Sequence, residues 1–424
     1  MKLTVRYASY FFGIIIVGFL CLSTSLHAQK TYTEYKGKVM DIDTREPLVF
    51  VNLMVKSTNV STISNTEGEF TLKVTNSPND EIVVVSLLGY QQHELKLSNL
   101  ASGNGEIFLS QRITQLSEVN LTAFKTAEAL VRKVFADKYN NTLDESVLMT
   151  AFYRESIKKR SRNVSLTEAV VNVYKQPYSS SRRDLITLHK ARKNTDYKRL
   201  DTVTLKLQGG PFSAVYVDIM KYPEYIFTDT TLGFYNFTFD MPSTVNDRPV
   251  YVVKFRQKKT VFGPGYQGKL YIEAESLALV SATYALNIVD SEMASELFVR
   301  KKPRDVNVTV IQAAYRVDYR EKDGKWFYGY GSVQLAFKVN KKRKLFNSLY
   351  TLSSEMAVTD WYINTAGFKP KPKDRLRTTI IIADAISGFS DQNFWGPLNV
   401  IEPEKSIQSA IDKIRRKIKR ADRK

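Results

Sequence analysis

Beyond residue 148 the chain is dominated by stretches in which apolar and polar side chains alternate, a period of two that gives an extended strand one buried and one wetted face. Met149 to Tyr153, Phe234 to Phe239, Val250 to Phe255, Lys269 to Ile272, Ala278 to Leu286, Ala313 to Tyr319 and Trp326 to Val339 are of this kind. Glu273-Ala274-Glu275-Ser276 and Lys322-Asp323-Gly324-Lys325 read as hairpin turns between neighbouring stretches. The pattern predicts one large curved antiparallel sheet, half-barrel-like, with one apolar face and one charged face, as in the row Val252, Lys254, Arg256 and Lys258. A helix precedes it: Ala127, Leu130, Val131, Val134, Phe135 and Tyr139 recur at helical spacing after Thr126, and Asn140-Asn141 ends the run. Packing on the sheet explains that helix without a gating role.

Residues 30 to about 110 are written differently. Gly37 to Met40, Leu48 to Val55, Phe70 to Val74 and Ile82 to Val85 are short strands separated by Asn-, Asp- and Gly-bearing turns, which describes a small antiparallel sandwich. Gly68 in Asn65-Thr66-Glu67-Gly68-Glu69-Phe70 can supply a positive φ where a turn closes, and Phe70 can point inward on the strand that follows.

In the order GKV, EPLVFVNLMV, NTEGEF and SLLGYQ, this segment resembles the carboxypeptidase-regulatory-like domain, with Gly68, Phe70, Gly89 and Tyr90 at the motif positions. The resemblance implies a transthyretin-like seven-stranded sandwich, found at the start of envelope proteins and TonB-dependent transporters of Bacteroidetes, and implies no peptidase chemistry. The residues agree independently. Zinc carboxypeptidases need histidine ligands, and of the three histidines here His93 and His189 lie in neither an HxxE nor an HExxH arrangement, while His27 belongs to the leader described next.

Lys2 and Arg6 precede a short apolar run from Ala8 to Leu22, followed by Ser23-Thr24-Ser25 and then Leu26-His27-Ala28-Gln29. This is the pattern of a signal peptide over 1–28, with the mature chain starting at Gln29. A lipoprotein alternative would place Cys21 at the new N-terminus, against the bulky Leu20 before it. Loss of Cys21 with the leader removes disulfides and sulfur-ligated metals, and no later segment is long and apolar enough for a spanning helix. Export to the periplasm, or to the periplasmic face of the outer membrane, is the expected location.

The formal net charge is +19, yet seven Lys/Arg face ten Asp/Glu between residues 30 and 110. The positive excess therefore belongs to the second part. In an exported chain its counterparts are an outer-membrane protein, anionic lipid, lipopolysaccharide or polysaccharide, not nucleic acid. Arg300, Lys301, Lys302 and Arg304, and Lys341, Lys342, Arg343 and Lys344, lie at apparent strand ends and are the candidate contacts for such a surface. Lys369 to Arg377 alternates Lys/Arg with Pro. The tail carries Ile407, Ala410, Ile411, Ile414 and Ile418 at helical spacing among Lys and Arg, a basic amphipathic helix expected to dock on the sheet.

The second part also resembles, through FYRE at Phe152, EAVVNVY at Glu168, GKLYIEAESLALV at Gly268 and the segment from Ser387 to Ile407, a group of uncharacterised Bacteroidetes envelope proteins. The GKLYIEAESLALV hairpin is similar in style to the half-barrel of lipoprotein-sorting and lipid-carrier proteins. No GxSxG, GxxxxGK[ST], post-strand GxGxxG or DxDxDG motif occurs. Glu155 and Glu168 are the acids to test for hydrolysis, with an ion pair between Glu155 and Arg154 as the structural alternative. The expected organisation is a leader at 1–28, a sandwich at 29–115, a curved antiparallel domain at 116–402 and a terminal helix at 403–424. The expected function is non-enzymatic binding or interaction without a cofactor. The alternatives are a lipid or glycan carrier using a concave sheet, and a carboxylate-dependent hydrolase.

Overall fold

In the computed structural model, which describes residues 32–75, 80–102, 105–112, 124–195, 208–299, 304–342, 347–386 and 394–405, the chain builds two β structures. The leader, Cys21 and nearly all of the terminal helix fall outside the described residues. The first structure has seven strands: β1 Tyr32–Asp41, β2 Asn52–Val55, β3 Ser61–Ile63, β4 Glu69–Thr75, β5 Ile82–Ser86, β6 His93–Lys96 and β7 Glu106–Leu109. They form one sheet in the order β4-β1-β7 and a second in the order β3-β2-β5-β6. Val39, Leu53, Phe70, Leu72, Val83 and Val85 are buried between them.

The turn before β4 is built on Asn65, whose Oδ1 accepts from the backbone N–H groups of Glu67 and Glu69, each at 2.9 Å. Gly68 lies at φ +75°, where a Cβ would stand 2.6 Å from the Val39 carbonyl oxygen. Glycine is thus required there twice, by conformation and by space. Gly89, at φ +86°, donates its N–H to the Thr244 carbonyl at 2.7 Å, and the neighbouring Tyr90 hydroxyl donates to Asp41 at 2.9 Å. This turn therefore joins the sandwich to the second structure.

That structure is an eleven-stranded open antiparallel sheet of β8 Val147–Lys159, β9 Arg162–Lys175, β10 Leu185–Thr195, β11 Tyr235–Phe239, β12 Ser243–Val245, β13 Arg248–Gln257, β14 Gly265–Glu273, β15 Leu279–Asn287, β16 Val306–Lys322, β17 Lys325–Lys341 and β18 Ser348–Ile363. The order is β10-β9-β8-β18-β17-β16-β15-β14-β13-β11, with β12 paired to β13. Both hairpins named from the sequence are present, as β14–β15 and β16–β17. The late strand β18 inserts between β8 and β17 and so ties the two ends of the domain together.

One face carries Val147, Met149, Ala151 and Tyr153 of β8 and is covered by the chain's own segments. Leu130, Val131 and Val134 come from the helix Ala127–Ala136, whose N-terminus is capped by the Thr126 hydroxyl accepting from Ala129 N–H at 3.1 Å. Phe212, Val215, Phe227 and Leu232 come from the stretch between β10 and β11. The opposite face presents Phe152, Val170, Tyr330 and Ala357 to Trp395, Val400 and Ile401 of the C-terminal segment and to Ile63 of the sandwich. The Trp395 ring meets Phe152 edge-on at 5.6 Å.

Candidate functional site at the basic end of the sheet

Because neighbouring strands run antiparallel, alternate turns collect at the same end. The pairs Lys159 with Arg162, Tyr350 with Lys159, Val306 with Lys341, Gly265 with Asn287 and Tyr235 with Gln257 set one end unambiguously. Two hairpin turns meet there, Lys158-Lys159-Arg160-Ser161-Arg162 and Lys258-Lys259-Thr260-Val261-Phe262-Gly263-Pro264, and β17 ends beside them at Lys341. Neither turn contains a carboxylate, and the sequence continues from Lys341 as Lys342-Arg343-Lys344-Leu345-Phe346-Asn347, again without one. Turns at the other end mix signs, with Asp247, Glu273, Glu275, Glu321 and Asp323 among Lys322, Lys325, Arg182 and Arg183.

Of the two basic runs picked out from the sequence, Arg304, Lys341 and Lys342 are described and lie at this end, where Arg304 and Lys342 are exposed and the Lys342 N–H donates to the Asp305 carbonyl at 3.0 Å. Arg300, Lys301, Lys302, Arg343 and Lys344 lie outside the described residues. Arg160, Arg162 and Lys259 are exposed beside them, and the sequence alone does not join them to the site. Their signal is the recurrence of acid-free basic pairs at hairpin turns, which becomes informative only when strand direction is known. Acids are present in the longer β15–β16 connection, where Asp290 caps the short helix Ser291–Glu296.

Large apolar side chains project at the same end. Phe262 is 97% exposed at the tip of the β13–β14 turn, and Val289 is 82% exposed just after β15. Met293 and Leu297 on the following helix are also exposed. A rim of exposed apolar groups beside the exposed basic side chains Arg160, Arg162, Lys259 and Lys342 is chemically suited to a surface that combines negative charge with hydrocarbon.

The two acids proposed for hydrolysis do not face one another. Successive residues of a strand point to opposite faces, so Glu155 lies on the face of Tyr153 whereas Arg154 and its cross-strand neighbour Glu168 lie on the face of Phe152. The expected Glu155–Arg154 ion pair is accordingly replaced. Arg154 pairs with Glu168 at 2.9 Å and with Glu355 at 3.3 Å, and Glu168 is bound on its other side by Arg192 at 2.6 Å. This alternating row runs straight across four strands, in register. Burial opposes ionisation of Glu168, but Arg154 and Arg192 outweigh it and hold its pKa below the usual carboxylate value. Glu155 instead accepts the Tyr153 hydroxyl at 2.9 Å. Burial pushes its carboxyl up to about 7, against the effect of that hydrogen bond, and Asp384 adds to the rise. His93 and His189 are both exposed, on separate strands. Among the described residues no group of three or more His, Cys, Asp or Glu could hold a metal ion.

A second buried charge cluster has no counterpart in the sequence-based expectations. Lys175, 2% exposed, donates to Asp184 at 2.8 Å and to Asp218 at 2.7 Å. Asp218 also accepts the hydroxyls of Tyr178 at 3.1 Å and Tyr319 at 2.9 Å. Every charge in the cluster is enclosed and bonded, which suits it to fixing the covering segment on the sheet and leaves no group free to meet a substrate.

Residues 35–121 match the CarboxypepD_reg-like domain family. The sandwich is a carboxypeptidase regulatory-like domain. The match stops before the large sheet, and no curated protein matches the chain. Among solved structures, a DUF1329 family protein from Desulfovibrio piger aligns with 57% of this chain and 93% of its own length at 9% identity, with a TM-score of 0.23.

Proposed function

We propose that this is an exported, non-enzymatic interaction protein of the periplasmic face of the outer membrane, which docks the basic end of its large sheet on an anionic lipid surface. The observation that carries the reading is the convergence, at one end of the sheet, of two acid-free basic turns with the exposed Lys342 that follows β17, with Phe262 and Val289 exposed among them. The regulatory-like sandwich is itself non-catalytic and is held on the opposite side of the sheet from the covering segments, as an interaction module. A lipid or glycan carrier would need an emptied apolar face. Here Leu130, Val134, Phe212, Phe227 and their neighbours occupy it, which favours the docking reading.

Anionic vesicles of phosphatidylglycerol and phosphatidylethanolamine test this. The mature protein should co-sediment with them at low salt and be released as salt rises, because exposed charges are screened over about 10 Å at 0.1 M. Each basic side chain near such a surface contributes about 1 kcal/mol. The triple replacement Arg160→Glu, Arg162→Glu and Lys259→Glu should therefore weaken binding by about a hundredfold or more while leaving the melting temperature close to that of the parent. Equal binding by parent and triple variant, or no binding by the parent, would overturn the proposal.

A further inference from the structure

A cavity of about 240 Å³ lies between the sandwich and the large sheet. Its sandwich wall comes from β2, β3 and β5 with the turn after β5, and its other wall from β15, β16 and β17. Much of the lining is apolar, including Met54, Val84, Leu87, Val280 and Trp326. Lys56 and Glu94, paired at 2.9 Å and both solvent-exposed, also line it, so they mark the side that faces water.

The charges around this cavity are balanced except at one place. Asp318 is bound by Arg316 at 2.7 Å and by the Ser281 hydroxyl at 2.6 Å. Glu321 pairs with Arg248 at 3.2 Å. Arg320 has no carboxylate of its own. It is 9% exposed, and its Nη1 donates to the Ser61 hydroxyl at 2.7 Å and to the Val358 carbonyl at 2.8 Å. Its Nη2 is buried without a hydrogen-bond partner. Burial pulls its pKa down to about 10, although Asp318 acts in the other direction. An unpaired buried guanidinium nitrogen costs free energy that a native fold rarely leaves uncompensated.

The backbone also makes room for this arginine. The pairing of β16 with β17 slips between Asp318 and Tyr319, leaving Gly329 as the extra residue of a bulge. A Cβ at Gly329 would stand 2.6 Å from Cγ and 2.8 Å from Nε of Arg320. Bulges re-aim side chains in this way.

We propose that this cavity binds a small organic carboxylate with an apolar body, whose carboxyl group pairs with the Arg320 guanidinium while its hydrocarbon lies against Met54, Val84 and Trp326. One uncompensated positive charge calls for one negative charge. A dianion such as phosphate would set its second charge against Asp318 and Glu321, which are already paired. Because both walls contribute, the occupant would also fasten the regulatory-like sandwich to the sheet. The site is separate from the basic end of the sheet, and its test is independent of vesicle binding.

Titration calorimetry and thermal unfolding of the mature chain would use hexanoate and benzoate as probes, with hexanol and hexylammonium as neutral and cationic comparators. The carboxylates should bind and raise the melting temperature in proportion to the logarithm of their concentration, and the comparators should do neither. Arg320→Met should weaken carboxylate binding by about tenfold or more, the loss expected for a charge-assisted hydrogen bond. Met54→Trp, which leaves Arg320 in place and fills the apolar part, should abolish binding and provides the decision if Arg320→Met does not fold. Equal response to hexanol, undiminished binding in Met54→Trp, or a cavity that holds water alone and takes no carboxylate would overturn the proposal.

Discussion

Replacing Lys175 by methionine is expected to destabilise the large domain by about 3–5 kcal/mol, the cost of breaking a buried ion pair on one side only. The size of the effect follows from what remains. Asp184 and Asp218 are 2% and 0% exposed, and without the ammonium two carboxylates would share a dry site. Burial by itself would lower the Lys175 pKa, but the two aspartates outweigh it and raise it above its ordinary value. The lysine therefore stays charged at neutral pH. The rings of Tyr178, Tyr222 and Tyr328 lie 5.3, 5.4 and 5.7 Å from Nζ, so methionine also loses three cation–π contacts. Asp218 sits on the covering segment between β10 and β11, whereas Lys175 ends β9, so the loss should loosen that cover from the sheet. Urea unfolding of parent, Lys175→Met and the triple variant Lys175→Met, Asp184→Asn, Asp218→Asn measures this. The triple variant should recover part of the loss, because neutral amides are cheaper to bury than unpaired carboxylates. A single variant as stable as the parent would refute the account.

The strands with one wetted face, such as β11 and the later part of β13, are legible in the sequence, and so is the sandwich. Met149–Tyr153 of β8 and the start of β17 also read as alternating, yet there the expected charged face is covered and both faces are buried. The strand β9 shows itself in the sequence only through a short motif, and β10 and β18 do not stand out. From Val164 to Val171 every residue of β9 is buried, so the alternation that betrays a half-exposed strand is absent. Charged residues in such a strand look misplaced until their partners are known. Glu168 is intelligible only beside Arg154 and Arg192, which lie fourteen residues before it and twenty-four after it. The same limit hides Lys175, whose partners come from beyond the end of its strand, and makes the arginine next to Glu155 in sequence look like its partner. Adjacent strand residues share no face. The basic end is partly legible, as runs at strand ends, but the number of turns meeting there depends on strand order. Arg320 cannot be singled out from the sequence, since its lack of a carboxylate partner is a property of the packed interface.

Glu155 gives the second large effect, and it has a definite dependence on pH. The native pKa of about 7 lies above the ordinary carboxyl value of 4.5, so the folded state holds this proton more tightly than the unfolded chain. Below pH 4.5 both states are protonated and the group contributes nothing to the difference. As pH rises from there to about 7, the unfolded chain ionises first and folding stability falls. Above pH 7 both are ionised, and the accumulated loss, about 3 kcal/mol at roughly 1.36 kcal/mol for each pH unit between the two values, stays constant. Glutamine has the same shape, retains an oxygen to accept the Tyr153 hydroxyl and cannot ionise. Glu155→Gln should therefore match the parent near pH 4 and exceed its unfolding free energy by about 3 kcal/mol at pH 8. Chemical denaturation at the two pH values decides it, and an advantage of equal size at both would show that burial of this charge is not what sets the stability. No arginine or lysine pairs with Glu155 among the described residues, whereas Glu168, equally buried on the other face, has two. The same residue type at adjacent cross-strand positions is thus expected to respond oppositely. Glu155→Gln relieves a buried charge at neutral pH, and Glu168→Gln strands Arg154 and Arg192.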